Sequence, residues 1–215
     1  MHDRSSYRWR AAFLAAGALM LAGGPRHPGG TMAQMLSHPD WVFSHTMMLA
    51  GFATLLAGLL LVRGAGPLPP RTGWWLRLAI AATALQTFES VLHLAAYVDH
   101  DALVAGRGTP ILSTHLALAV IAHPVLAAGI IGLIVAAARE RVIGSRWIAP
   151  IGIAGAAAHG LAAPLVVAAG DERFRVLFPG IALLALWMVI AALWPARAAA
   201  PLRHAAAPRR ATATR

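Results

Sequence analysis

The chain has 215 residues, 59% of them hydrophobic and 12% charged, with a mean hydropathy of +0.66. A soluble domain is about half apolar and a quarter charged, so composition excludes an ordinary soluble fold. The formal charge of +10 comes from 18 Arg with no Lys, and there is no Cys, which excludes Lys Schiff bases, disulfides, thiolate metal ligands and a Cys nucleophile.

Apolar stretches of about 20 residues recur, each long enough to cross roughly 30 Å of hydrocarbon. The fold class expected is all-α: a polytopic membrane protein with about six transmembrane helices, or five if the first is a cleaved signal. In chain order the segments are 8–24, 41–62, 74–97, 110–138, 147–169 and 175–195. The punctuation between them is GGPRHPGG, GAGPLPPRTG, DHDALVAGRGTP, RERVIGSR and GDER, all built from turn-forming or charged residues. The first segment is short and follows the basic lead MHDRSSYRWR. That pattern suits either a retained helix or a signal peptide, and the retained helix is favoured because no sharp small-residue cleavage site follows directly. Trp41, Trp74, Trp75, Trp147 and Trp194 fall at segment ends, as an interfacial aromatic belt predicts.

Arg sets the expected orientation. With the N-terminus inside, fourteen Arg fall on inner flanks and four (Arg26, Arg107, Arg173 and Arg175) on outer ones. The positive-inside bias therefore predicts N-in and C-in, in a bacterial inner membrane. Residues 1–197 are expected to form one transmembrane bundle. Residues 198–215 are expected to be a basic, disordered cytoplasmic tail. The Arg are spread over flanks rather than gathered on a soluble module, so no nucleic-acid partner is expected; the basic flanks face anionic membrane lipid.

The polar residues inside the spans carry the functional signal. Glu89 is the sole acidic residue within a span, and His45, His93, His115, His123 and His159 share the spans with it. A rise of about 1.5 Å per residue puts His45, His93 and His115 about 6–7 Å from the outer ends of their segments. Glu89 lies about 12 Å below that edge, His159 about 15 Å and His123 about 20 Å. Two stacked layers facing a common axis are expected, with His123 beside a Pro124 bend. An ionisable group in hydrocarbon costs at least about 2.5–3.5 kcal/mol, and such groups usually mark a site.

Imidazoles plus one carboxylate suit a transition metal such as Zn, Fe or Cu. His45, His93, His115 and Glu89 are the expected metal ligands, and Glu89 is the candidate catalytic group. His123 and His159 form a deeper, cofactor-binding pair that could hold haem b between two imidazoles. Met32, Met35, Met47 and Met48 near His38 and His45 would suit copper, but packing explains them more simply. His27 and His38 each precede Pro in outer loops, and either could extend the outer layer. Asp99, His100 and Asp101 read as an entry funnel for cations or as a solvated loop. Thr83, Gln86 and Thr87 lie below Glu89 and could hydrogen-bond it. Gly129, Gly132, Gly152, Gly155 and Gly160 predict close helix approach. The sixth segment, with Trp187 and Met188 and no charge, reads as lipid-facing scaffold.

Buried His in a four-helix core resembles the membrane b-type cytochromes of the b561 kind in architecture alone. Those proteins set His toward both membrane faces, whereas here all lie in the outer half or the middle. Three functions follow from the residues. The first is a metal or haem oxidoreductase working on oxygen, quinone or another small lipophilic substrate. The second is a proton- or metal-coupled transporter using Glu89 and a His relay. The third is an accessory subunit whose His tie helices together.

Overall fold

The computed structural model describes residues 4–194, and the tail expected at 198–215 lies outside them. Among the described residues the chain is helical, with no strand. The helices are α1 (Arg4–Gly23), α2 (Met32–Leu36), α3 (Asp40–Gly64), α4 (Pro70–Ala95), α5 (His100–Val104), α6 (Pro110–Arg139), α7 (Ala149–Ala163) and α8 (Gly180–Leu193). A π-helical turn, Pro164–Ala168, continues α7. The starts follow from local chemistry. Pro70 and Pro110 stand at the first helical positions of α4 and α6, where a missing N–H costs nothing and a fixed φ helps. Gly106, at φ +66°, ends the turn between α5 and α6 in a conformation that glycine adopts without strain.

Among the described residues, five helical stretches are long and apolar enough to cross a membrane: Asp40–Gly64, Pro70–Val104, Pro110–Arg139, Ala149–Ala168 and Glu172–Leu193. α1 is not among them, since Arg8 and Arg10 dilute its apolar run. It is nonetheless built into the bundle: Trp9, Phe13, Ala16 and Met20 are buried. Arg10 donates to the carbonyls of Ala192 (3.2 Å) and Trp194 (2.7 Å), tying the start of α1 to the end of α8.

The six long helices pack in chain order, each on the next, and α1 closes the ring against α8. Small residues permit the close approaches. A Cβ on Gly155 would strike the backbone of Leu184 and lie 2.8 Å from the Gly180 carbonyl oxygen. One on Gly160 would strike Ala127, and one on Gly132 the Trp75 indole. In a bilayer such van der Waals contact replaces the hydrophobic effect as the attraction between helices.

Two sequence expectations are corrected here. Trp187 and Met188 face the core rather than lipid, at 3% and 0% exposure; Trp187 fills the space beside Gly152. Trp41 is not an interfacial residue either. It is 2% exposed and its indole N–H donates to the Leu94 carbonyl at 3.1 Å, joining the start of α3 to the end of α4. Trp74 and Trp147, by contrast, are exposed.

Candidate metal centre

Four elements meet at one end of the bundle: the loop after α1, the first turns of α3 and α6, and the last turns of α4. His27, His45, His93, Glu89 and His115 come from these places. Asp99 helps to fix the arrangement. Its buried carboxylate accepts the Leu112 N–H at 2.8 Å, satisfying one of the unpaired donors at the start of α6 and setting His115 against α4. Asp99 is thus a structural clamp, whereas Asp101 is exposed and pairs with His100 at 2.9 Å.

Glu89 is fully buried. Gln86, one turn earlier, donates to its Oε2 at 2.6 Å, and the Ser90 hydroxyl lies 3.5 Å from the same oxygen. Oε1 points the other way. It lies 2.7 Å from His115 Nδ1 and 4.0 Å from His93 Nδ1. The 2.7 Å approach lies outside hydrogen-bond geometry, and both atoms are buried without a hydrogen-bond partner. Thr87 donates instead to the Thr83 carbonyl, and the buried Thr83 hydroxyl has no partner, so of the three polar residues below Glu89 only Gln86 holds it.

The rings lie against one another. His93 and His115 stack at 4.0 Å between centroids and 23° between planes. His45 lies 4.3 Å from His93 and 4.9 Å from His27, and Trp41 covers His45 at 3.9 Å. His27 is exposed, yet its surroundings hold its pKa below the ordinary value: loss of hydration lowers it, and the bond to the Pro28 carbonyl opposes this.

Two groups of side chains bring ligand atoms within 4.8 Å of one another: Glu89, His93 and His115, and His27, His45 and His93. Ligands of a single cation at about 2.0–2.2 Å stand roughly 3 Å apart. At 2.7 Å the Glu89–His115 pair is somewhat closer than that, and His93 Nδ1 stands 4.0 Å from Glu89 Oε1. Both groups could hold a metal ion.

The two-layer expectation changes accordingly. The Glu89 carboxylate meets His93 and His115 directly, and its charge still reaches His123 of the deeper pair. His123 and His159 stack on each other at 4.4 Å and 23°; His159 also faces Phe52 at 6.3 Å. Two axial haem ligands must each direct a nitrogen at an iron between them, whereas stacked rings direct their nitrogens sideways. Haem is therefore not carried further. Both His159 nitrogens and His123 Nδ1 are buried without a hydrogen-bond partner. His38 stays outside the cluster, exposed, with Nδ1 accepting the Asp40 N–H at 3.1 Å. Met35 packs with Leu36, Trp41 and Leu112, as the packing reading of the Met residues expects.

Trp41 and His27 gained most from the structure. Trp41 carried the signal of a span end, which hid its role as a wall of the site. His27 sits in a loop without periodicity, and only its place before Pro28 singled it out. At the opposite end of the bundle a cavity of about 470 Å³ is lined by Arg10, Arg139, Arg141, Arg146 and Trp147 among others; its charge suits anions and places it apart from any cation chemistry.

No family model matches the chain, and no curated protein or solved structure matches it either.

Proposed function

We propose that the chain is a six-span membrane protein holding a transition metal at Glu89, His93 and His115, with His45 beside them. In this reading α1 is retained and both ends face the cytoplasm of a bacterial inner membrane. The observation that carries the metal reading is the convergence of one ligand atom each from Glu89, His93 and His115 within 4.8 Å of one another, with Glu89 Oε1 and His115 Nδ1 buried and 2.7 Å apart. The second carboxylate oxygen is pinned by Gln86, the kind of outer contact that orients a ligand.

Two imidazoles and one carboxylate, without thiolate, suit Zn, Fe or Cu, and this set in facial geometry leaves coordination positions open. When bound, the ion would supply Lewis-acid or redox chemistry to a small lipophilic substrate, oxygen or a quinone. Glu89 would orient the site and accept a proton, and Trp41 and the imidazole stack would keep water from its outer side. The accessory-subunit alternative explains less. The hydrogen bonds of His27 and His45 run to Pro28 and Trp41, within their own loop or helix, and the contact that does cross between helices, His115 to Glu89, brings two ligand atoms together.

Metal content of the purified, reloaded protein tests this. His115→Gln removes a nitrogen at the Nδ1 position and Glu89→Gln removes the charge. Each is expected to weaken binding by at least the 10–100-fold seen for lesser, outer-shell changes. Unchanged affinity in both folded variants would contradict the assignment.

A further inference from the structure

His27 and His45 share a feature that Glu89, His93 and His115 do not use. His27 Nδ1 lies 2.9 Å from the Pro28 carbonyl oxygen, and His45 Nδ1 lies 2.7 Å from that of Trp41. A carbonyl only accepts, so Nδ1 carries the proton in both rings and Nε2 carries the lone pair. This is how metal-binding imidazoles are commonly oriented, with the second nitrogen tied to a carbonyl. His45 Nε2 is buried without a hydrogen-bond partner. The residue is 3% exposed, and its ring stands between His27 and His93 at 4.9 and 4.3 Å.

We propose that His27, His45 and His93 form a second metal station, an all-imidazole triad above the buried centre, for a borderline cation such as Zn²⁺, Co²⁺ or Cu²⁺. One ligand atom from each lies within 4.8 Å of the others. Three neutral imidazoles are a familiar donor set for such ions. The triad is the more open of the two: His27 is exposed, whereas Glu89 is at 0%.

His93 belongs to both triads. A neutral imidazole has one lone-pair nitrogen, so His93 completes one station at a time. The chain therefore binds one ion tightly, and loss of the buried ligands moves the ion outward instead of abolishing binding. That mutual exclusion rests on the buried centre proposed above; the existence of the outer triad does not.

Titration of the purified full chain with Co²⁺, followed by visible absorption, separates the cases. The wild type should take one equivalent. Glu89→Gln should still take one, more weakly and with a changed spectrum. Adding His45→Asn to Glu89→Gln should abolish binding, because the amide can still donate to the Trp41 carbonyl but offers no nitrogen in place of Nε2. Far-UV circular dichroism checks that each variant is folded. The proposal is overturned if folded Glu89→Gln binds no Co²⁺, or if His45→Asn leaves the Co²⁺ held by Glu89→Gln untouched. Failure of the buried centre alone looks different: Glu89→Gln and His115→Gln would then keep the wild-type spectrum while His45→Asn lost it.

Discussion

At the scale of single residues, the site depends on how one carboxylate is held. Gln86 and Ser90 approach one oxygen of Glu89 and leave the other to the imidazoles. Replacing Gln86 with Met keeps the volume but removes that hold, so metal affinity should fall by about 10–100-fold in a folded protein; competition with a chelator measures it, and an unchanged affinity would show that Glu89 needs no such support. The sequence already marked Glu89, His45, His93 and His115. It misjudged the depth of Glu89, because a rise per residue locates backbone, while a Glu side chain bridges most of a helical turn. It passed over Trp41 because a Trp at a span end carries the same signal whether it faces headgroups or a neighbouring helix.

At the scale of helices, punctuation and apolar runs were readable to within a few residues. α6 was expected over 110–138 and runs Pro110–Arg139. The faces of α8 were not readable. Lipid tails are as apolar as a protein core, so an uncharged helix shows no contrast between its lipid side and its packed side. Glycine patterning was the better guide. Gly155 sits where a Cβ would strike α8, so Gly155→Ala should destabilise the bundle by about 1–3 kcal/mol through overpacking. Gly73, in α4, has open space around its missing Cβ, and Gly73→Ala should leave stability equal or raise it by up to about 1 kcal/mol. Thermal unfolding in detergent compares the two; equal effects would show that the α7–α8 contact is looser than described.

At the scale of the whole molecule, the Arg asymmetry and the ring of helices together place the His cluster at the end away from the Arg-rich loops. The absence of Cys makes this straightforward to check. Gly108→Cys, in the loop before α6, should react with an impermeant thiol reagent added to intact cells. Pro67→Cys, in the loop before α4, should react only after the membrane is opened. The reverse pattern would invert the topology and put the cluster on the cytoplasmic side.

Imidazole and carboxylate groups from two helices, α4 and α6, are proposed to hold one metal ion. X-ray absorption at the metal edge of the Zn²⁺-loaded wild-type protein tests it most directly. The expected result is a shell of nitrogen and oxygen at about 2.0–2.2 Å, with the outer scattering of imidazole rings. A purified, folded protein that takes up no stoichiometric metal, or one whose ion shows no imidazole scattering, would contradict it.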